Sequence, residues 1–332
     1  MRKLIFSGLF IILNVCLAFA QDNQSGWLEV SKNKIVNHDG EVQIFHGVNT
    51  ADPDKLEKDG QWNKALFEEI KRWGANIIRL PVHPTAWRSR GSEGYLELLD
   101  EAVVWAKDLN LYIIIDWHSI GNLRTELFMR PIYITSKTET FNFWRIISDR
   151  YKNEPVVAFY ELFNEPTTGQ NKYGSLSWHQ WKIILTDIIT IVKANNPKAI
   201  PLVSGFNWAY DLTPMINDML PMDDIAYVSH PYPEKRSQPW VPQWERDFGF
   251  IAQKAPLFLT EVGFALPDEE GVHVPVHGDE TYGQTLVKYA DKIGAHWVVW
   301  VFDPDWSPMM IKDWDFAPTR QGAFFKEVMQ ND

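Results

Sequence analysis

Eight short, almost wholly apolar runs recur along this chain, and segments with helical periodicity separate most of them. Strands that are buried on both faces have continuous apolar sequences, which is typical of parallel sheets covered by helices. Eight such strands alternating with helices favour an α/β fold in which the sheet closes as a (β/α)8 TIM barrel. The eight runs are residues 44–48, 76–81, 111–116, 156–163, 200–204, 225–229, 256–261 and 295–302.

A hairpin and six helical segments complete the expected fold. Residues 27–30, 34–36 and 42–45 are strand-like, and the last two flank a turn containing Asp39-Gly40. An Asp-Gly pair between such runs is a strong signal for a tight turn, so we expect a short N-terminal β-hairpin before the barrel. The predicted helices cover residues 62–73, 95–109, 139–151, 177–194, 242–253 and 281–292.

The first twenty residues have the features of a secretory signal peptide. Two basic residues precede an apolar stretch over residues 4–17, and small residues lead up to Ala20. We expect cleavage near Ala20, so that residues 1–20 are a signal peptide and the protein is secreted, to the periplasm or outside the cell. No linker-like stretch divides residues 21–332, which predicts a single domain.

Charge and composition narrow the classes of ligand. The formal net charge of -11 at pH 7 argues against nucleic acid or an anionic surface as a partner. After the signal peptide we expect no membrane span, and the single cysteine, Cys16, lies within that peptide. The 16 tryptophans and 11 tyrosines supply flat faces that suit the apolar faces of sugars. A neutral ligand fits best, and without any heptad pattern a monomer is the default expectation.

Polar and aromatic side chains follow or end the predicted strands. In a barrel of this kind the carboxyl ends of all strands meet at one face, so these side chains should converge. They supply carboxylates, imidazoles, a guanidinium and aromatic rings, which together indicate a reaction centre. The residues are Arg79, His118, Asn164, Glu165, Trp208, His230, Tyr232, Glu261 and Trp300.

Two glutamates occupy equivalent positions in this set. One apolar run ends in Asn164-Glu165-Pro166, and another ends at Glu261. A carboxylate where a buried strand meets a proline-containing loop is held rigidly beside the cleft. Two such carboxylates predict paired acid/base and nucleophile chemistry. The alternative is a structural ion-pair network around Arg79, since such networks also perturb pKa values.

At these positions the chain resembles glycoside hydrolase family 5, whose barrels have catalytic glutamates on the fourth and seventh strands. The resemblance runs in order from Asn49, at the end of the first predicted strand run, to Trp300 on the eighth. Its most specific signature is the apolar run followed by Asn164-Glu165-Pro166. The resemblance implies a catalytic domain over the mature chain that is a cellulase-like, retaining endo-β-1,4-glucanase. Its substrate would be a β-linked polysaccharide or oligosaccharide, with no metal and no cofactor.

The resemblance also assigns roles to the two carboxylates. Glu261 would be the nucleophile that forms a covalent glycosyl-enzyme, and Glu165 would protonate the leaving oxygen and later deprotonate water. Glu261 must then stay ionised while Glu165 carries a raised pKa. Arg79 and Tyr232 are expected to hydrogen-bond Glu261 and hold it charged. His230 is expected to lie beside Glu165.

The remaining residues are expected to contact sugar. The resemblance implies that Asn164 binds the 2-hydroxyl, that His118 contacts another hydroxyl, and that Trp300 forms the floor. It also implies a cis peptide between Trp300 and Val301. Trp208 is expected either to stack on a sugar beyond the cleavage point or to pack on its own loop. For the histidines and Trp300 the alternative is ordinary core packing.

Several functions share these residues. A metal-dependent hydrolase using His118, His230 and a carboxylate is disfavoured, because the chain has neither a His-Glu-x-x-His helix nor two close histidines on one strand. An inactive glycan-binding barrel would use the same aromatic rings, and a transglycosylase would use the same glutamates. Mannan, mixed-linkage glucan and xyloglucan stay open as substrates, as does exo action.

Two long connections are expected to line the cleft and set substrate choice. Residues 119–138 follow the third predicted strand and residues 302–319 follow the eighth, and both exceed a simple connection. The side chains expected to take part are Arg124, Glu126, Tyr133, Trp306 and Trp314.

Overall fold

The computed structural model describes residues 26–269 and 271–331 of the 332-residue chain. The predicted signal peptide therefore lies outside the described residues. The strands of the described part, in chain order, are β1 (Leu28–Ser31), β2 (Lys34–Asn37), β3 (Val42–Gln43), β4 (His46–Thr50), β5 (Ile77–Val82), β6 (Tyr112–Trp117), β7 (Ile120–Asn122), β8 (Leu127–Phe128), β9 (Phe159–Glu161), β10 (Glu165–Pro166), β11 (Ile200–Ser204), β12 (Ala226–Val228), β13 (Leu257–Val262) and β14 (His296–Phe302).

Eight of these strands form a closed barrel. Their order around it is β4, β5, β6, β9, β11, β12, β13 and β14, and β14 pairs with β4 to close the ring. Every neighbouring pair is parallel, as the apolar runs predicted. The predicted (β/α)8 TIM barrel is confirmed.

The fourth barrel strand is shorter than its apolar run. Only Phe159–Glu161 belong to the ladder, whereas the run covers residues 156–163. After Glu161 the chain leaves the barrel ladder, and Glu165–Pro166 form β10 beside β7. There the backbone N–H of Glu165 donates to the carbonyl of Ser119 (3.1 Å). The prediction that Glu165 ends the barrel strand itself is therefore corrected. A separate small sheet of β10, β7 and β8 holds it.

An antiparallel sheet of β1, β2 and β3 precedes the barrel. The predicted hairpin joins β2 to β3, and Gly40 in its turn has a φ of 80°, a left-handed conformation that glycine adopts without strain. Leu28 and Ile35 of this sheet belong to the same buried cluster as Ile77 and Phe159, the first residues of two barrel strands. The sheet therefore covers the amino-terminal end of the barrel and leaves the carboxyl end for the site.

The α-helices of the described residues are α1 (Pro53–Lys58), α2 (Lys64–Arg72), α3 (Pro84–Arg90), α4 (Ser92–Leu109), α5 (Lys137–Arg150), α6 (Trp178–Asn195), α7 (Trp240–Asp247), α8 (Glu280–Ile293) and α9 (Arg320–Asn331). The sequence did not indicate α1, α3 or α9; the first two are too short to show a periodic pattern. The helix predicted over 242–253 is wrong in its second half, where Gly249–Gln253 form a 3-10 helix. None of the described helices is long and apolar enough to cross a membrane.

Much of the tryptophan content lies in the core. Six indole rings are fully buried, and those of Trp144 and Trp181 donate to the carbonyls of Leu162 and Ser204. Burying large rings with their N–H groups satisfied stabilises the layer between strands and helices. These six of the 16 indole rings therefore have no surface for a ligand. The six are Trp73, Trp117, Trp144, Trp181, Trp244 and Trp297.

Candidate active site

The two predicted glutamates lie close together at the carboxyl end of the barrel. An oxygen of Glu165 and an oxygen of Glu261 lie within 4.8 Å of each other and of a ring nitrogen of His230. Both side chains are largely buried, with 7% and 5% exposure. Retaining glycosidases hold their carboxyl groups about 5–5.5 Å apart, whereas inverting enzymes leave about 6.5–9.5 Å for a water. The spacing agrees with the shorter class.

Arg79 is the buried cation at the centre of the site. Its Nη1 donates to Oε1 of Glu261 (3.0 Å) and to Oδ1 of Asn49 (2.7 Å). Its Nε and Nη2 donate to the two carboxylate oxygens of Glu161 (2.8 and 2.9 Å), and Nη2 also lies 3.0 Å from Oδ2 of Asp116. The predicted contact with Glu261 is confirmed. The same guanidinium, however, contacts three carboxylates.

Glu161 is a site residue that was not predicted from the sequence. Thr260 Oγ1 donates to its Oε1 (3.1 Å), in addition to the fork from Arg79. Burial opposes its charge, but Arg79 and His230 lower the pKa of Glu161, so it stays ionised. A signal was available, because a carboxylate inside a strand buried on both faces requires a buried cation. Arg79 on a nearby strand is that cation.

His230 is a second buried cation. Its Nδ1 lies 3.1 Å from Oε1 of Glu165, and its Nε2 lies 2.9 Å from Oγ1 of Thr260. Burial disfavours its charge, but Glu261, Glu161 and Glu165 together raise the pKa of His230 to about 9. The imidazole is therefore protonated at neutral pH and donates from both nitrogens. The predicted position beside Glu165 is confirmed.

Tyr232 and Glu261 form the predicted hydrogen bond. Tyr232 Oη donates to Oε2 of Glu261 (2.9 Å), and burial together with Glu261 raises the pKa of Tyr232 well above its usual value, so it remains a donor. The expectation that Arg79 and Tyr232 hold Glu261 charged meets an opposing effect of burial. Burial raises the pKa of Glu261, and the opposing effects of His230 and Arg79 do not overcome it. The cause is the loss of water around a buried carboxylate.

Asn164 has a free donor in the site. Its Oδ1 accepts from Nη2 of Arg79 (2.7 Å), which fixes the orientation of the amide. Within the described residues its buried Nδ2 has no hydrogen-bond partner. A buried N–H without an acceptor is unfavourable, so Nδ2 is suited to an acceptor on a ligand.

His118 is fixed by Asp116. Its Nδ1 lies 2.6 Å from Oδ2 of Asp116, and burial lowers the pKa of His118 well below its usual value. A neutral imidazole that donates from Nδ1 has an acceptor at Nε2. Asp116, which is not among the site residues predicted from the sequence, therefore sets the tautomer of His118.

Trp300 lies in a row of parallel rings. It stacks with His118 at 5.3 Å between centroids and with Trp306 at 6.1 Å, with interplanar angles of 7° and 10°. The Trp300–Val301 peptide is cis, as predicted. Gln321 on α9 holds the backbone of Trp300, since Nε2 of Gln321 donates to the carbonyl of Trp300 (2.8 Å). This role of α9 has no signal in the sequence pattern.

Both long connections reach the site, but not through every predicted side chain. Tyr133 of residues 119–138 lies against His118 (6.1 Å), and Trp306 of residues 302–319 extends the row from Trp300. Nη1 of Arg124 instead donates to the carbonyl of Ser175, and Oε1 of Glu126 accepts from the backbone N–H of Lys137. Trp314 lies beside Lys55.

Trp208 lies beside the segment that holds Glu165. Its backbone N–H donates to the carbonyl of Pro166 (3.2 Å), and its ring is half-buried. Residues 207–209 all have left-handed φ values near 55°, an uncommon conformation for non-glycine residues. Nζ of Lys235 lies 5.1 Å from the centre of the Trp208 ring.

Glu165, His230 and Glu261 are also close enough to hold a metal ion. A histidine ligand must be neutral and present a free lone pair. Both nitrogens of His230 already have hydrogen-bond partners, and its pKa of about 9 makes it cationic at neutral pH. The donor set therefore suits carboxylate chemistry better than metal binding.

Comparison with solved structures gives a strong match over almost the whole molecule. The beta-glucanase SdGluc5_26A from Saccharophagus degradans, solved in complex with cellotetraose, is 45% identical, with a TM-score of 0.91. The match covers 99% of this chain and 98% of that chain. The catalytic domain of the major endoglucanase from Xanthomonas campestris, at 21% identity and a TM-score of 0.72 over 92% of this chain and 100% of that chain, shares the fold.

Comparison with curated sequences gives more distant relatives. An endoglucanase from Paenibacillus polymyxa is 25% identical over 87% of this chain and 83% of its own length. Endoglucanase A from Butyrivibrio fibrisolvens is 27% identical over 74% of this chain, which spans 54% of that relative's length. Residues 36–305 match the family model described as Cellulase (glycosyl hydrolase family 5). With the barrel and the glutamate pair in place, this match shows that the chain belongs to glycosyl hydrolase family 5.

Proposed function

We propose that this protein is a retaining endo-β-1,4-glucanase that hydrolyses β-glucan by double displacement. The observation that carries the proposal is the pair Glu165 and Glu261, whose oxygens approach within 4.8 Å. That spacing favours a covalent intermediate over direct attack by water. Support for glucan comes from the beta-glucanase complex with cellotetraose and from the endoglucanase relatives.

In the first step Glu261 acts as the nucleophile. One of its carboxylate oxygens attacks the anomeric carbon as the bond to the leaving sugar oxygen breaks. Glu165 gives its proton to that oxygen, so the sugar leaves as a neutral alcohol. Hydrogen bonds from Arg79 and Tyr232 orient Glu261 and favour its charged form before attack.

In the second step Glu165, now ionised, removes a proton from water. The water oxygen attacks the same carbon and displaces Glu261, which returns to its carboxylate form. The hydrogen bond from Nδ1 of protonated His230 stabilises the Glu165 carboxylate during this half of the cycle. Two displacements at one carbon retain the anomeric configuration.

The sugar that carries the reacting anomeric carbon would contact three side chains that the structure already holds in place. The free Nδ2 of Asn164 would donate to the 2-hydroxyl oxygen, a contact that strengthens as positive charge develops at the anomeric carbon. Nε2 of His118 would accept from another hydroxyl, and Trp300 would lie against the ring face. These contacts position the reacting carbon over Glu261.

Secretion and independence from metal are further parts of the proposal. Secretion rests on the signal peptide expected over residues 1–20. The metal-free mechanism rests on the protonated His230 between the two glutamates. We expect activity to survive prolonged chelation. Loss of activity that returns only when an ion is added back would contradict the mechanism.

A substrate panel tests the proposal. Reducing ends are measured on carboxymethylcellulose, mixed-linkage glucan, galactomannan, glucomannan, xyloglucan and xylan, with wild type, Glu165→Gln and Glu261→Gln. We expect wild type to cleave β-1,4-glucan. In each variant the rate should fall by a factor of about 10² to 10⁴. Undiminished hydrolysis by either variant would reject the mechanism, and activity on galactomannan alone would reject the substrate.

Two other functions give different results in the same preparations. A glycan-binding barrel without activity would bind glucan and release no reducing ends. A transglycosylase would form longer products at high oligosaccharide concentration, which product chromatography detects. The polar pair Glu165 and Glu261, buried at catalytic spacing, favours hydrolysis over a binding role.

A further inference from the structure

Lys235 has an ammonium group close to the reaction centre that the mechanism above does not use. Lys235 ends the 3-10 helix Pro233–Lys235, directly after Tyr232, and its backbone N–H donates to the carbonyl of Tyr232 (3.0 Å). Its Nζ donates to the carbonyl of Asn207 (3.0 Å) and lies 5.1 Å from the centre of the Trp208 ring. The side chain therefore joins the loop after β12 to the turn after β11.

The Lys235 side chain is half-buried, and in the described residues its ammonium group has no recorded carboxylate partner. Burial lowers the pKa of Lys235, and Glu165 and Glu261 are the negative charges that act on it. Within the described part of the chain, no carboxylate forms a recorded ion pair with Nζ of Lys235. Its one recorded hydrogen bond goes to the carbonyl of Asn207. An ammonium has three donors, so two stay available to an acceptor from outside the protein.

The position of this group relative to the glutamates identifies the sugar it would meet. The backbone N–H of Trp208 donates a hydrogen bond to the carbonyl of Pro166, which follows Glu165 in the chain. Glu165 is the proposed acid that protonates the leaving oxygen, so the leaving sugar lies on its side of the bond. Asn164, His118 and Trp300 belong to the opposite sugar in the proposed mechanism. Because Lys235 and Trp208 are not part of that set, the leaving-group side is where they would meet a sugar.

We propose that Lys235 is a specificity-determining residue of the leaving-group subsite, where its ammonium donates hydrogen bonds to hydroxyls of the sugar stacked on Trp208. The ring supplies a flat apolar face, and Nζ of Lys235, 5.1 Å from the ring centre, supplies hydrogen-bond donors for sugar hydroxyls beside that face. This inference rests on the proposed function. It predicts that Lys235 distinguishes a sugar leaving group from an aromatic one, because an aryl group can stack but has no hydroxyls in that position.

Two substrates with the same glycone test this. Values of kcat/KM are measured on cellotetraose and on 4-nitrophenyl β-cellobioside, and the ratio of the two values is compared among wild type, Lys235→Met and Lys235→Arg. We expect Lys235→Met to lower the ratio about tenfold or more, as for loss of a hydrogen bond to a charged donor. Lys235→Arg keeps the charge and the donors, so it should restore part of the ratio.

Lys198→Met is the matched control, because Nζ of Lys198 lies 4.3 Å from the Trp27 ring, away from the site. It should leave the ratio unchanged. An unchanged ratio in Lys235→Met, or a parallel fall on both substrates, would overturn the inference and leave Lys235 as a support for the turn at Asn207. Should Lys235→Met fail to fold, Lys235→Gln is assayed on the same pair with the same criterion. If wild type cleaves neither substrate, the proposed function fails first.

Discussion

Nη1 of Arg79 lies 3.0 Å from Oε1 of Glu261, while Nε and Nη2 of the same guanidinium are bonded to Glu161. The proposed nucleophile therefore shares its cation with a second buried carboxylate. Asp116 also contacts this guanidinium, so three buried carboxyl groups share one positive side chain. Stability and reactivity are coupled through Arg79, since a change of charge on one of these carboxyl groups alters the pKa of the other two.

Removal of Arg79 should be strongly destabilising. In Arg79→Met three buried carboxylates lose their cation, and we expect the free energy of unfolding to fall by about 3–5 kcal/mol. Arg79→Lys keeps the charge but loses the fork, so its loss should be smaller. Urea unfolding measures both. The control is Arg88→Met, which breaks an exposed pair with Glu139 and should cost less than about 1 kcal/mol. Equal losses at positions 79 and 88 would contradict the account.

The free amide of Asn164 should act through one hydroxyl of the substrate. We expect Asn164→Ala to lower kcat/KM on an aryl β-cellobioside on the order of a hundredfold, because a contact that strengthens in the transition state is lost. With the analogue that lacks the 2-hydroxyl of the reacting sugar, wild type and variant should become nearly equal. The same hundredfold loss on both substrates would show that Asn164 acts only by supporting Arg79.

The acid limb of activity should report on Glu261. Burial raises the pKa of Glu261 above its ordinary 4.5, and the nucleophile must be ionised, so kcat/KM should fall with decreasing pH at a midpoint above 4.5. Tyr232→Phe removes a donor to the charged form and should move this midpoint upward. Tyr289→Phe is the control, because the buried Tyr289 hydroxyl has no recorded partner in the described residues. A midpoint below 4.5 would contradict this assignment.

His230 should titrate well above an ordinary histidine. Its pKa is raised from 6.5 to about 9, so its contribution to stability is complete below pH 6.5 and is lost as the pH rises through about 9. An NMR titration of the imidazole measures this value directly. Glu261→Gln and Glu165→Gln each remove a negative charge and should lower it. A wild-type value near 6.5, unchanged in both variants, would show that the cation is not formed.

The barrel and its principal contacts were predictable because they depend on local patterns. Continuous apolar runs identify strands buried on both faces, and the residue after each run lies at the same barrel face. This rule predicted that Glu165, Glu261, His230 and Tyr232 converge. In the structure His230 contacts Glu165, Tyr232 donates to Glu261, and the two glutamates lie close together.

What the sequence did not predict depends on contacts between distant segments. Glu161 was hidden within an apolar run, and its role becomes clear only when the fold brings Arg79 next to it from a nearby strand. The two-residue strand that holds Glu165 is too short to show a pattern. Gln321 binds the carbonyl of Trp300 from the last helix. The raised pKa of Glu261 follows from burial, which no nearby sequence feature reports.

The central claim is that Glu261 is the nucleophile of a retaining reaction. The most direct measurement is mass spectrometry of the protein after reaction with a 2-deoxy-2-fluoro-β-cellobioside that carries a good leaving group, since the fluorine slows release of the intermediate. We predict one added 2-fluorocellobiosyl unit, located on Glu261 by peptide mapping and absent in Glu261→Gln. A label on another residue, or no label together with a product of inverted anomeric configuration, would contradict the mechanism.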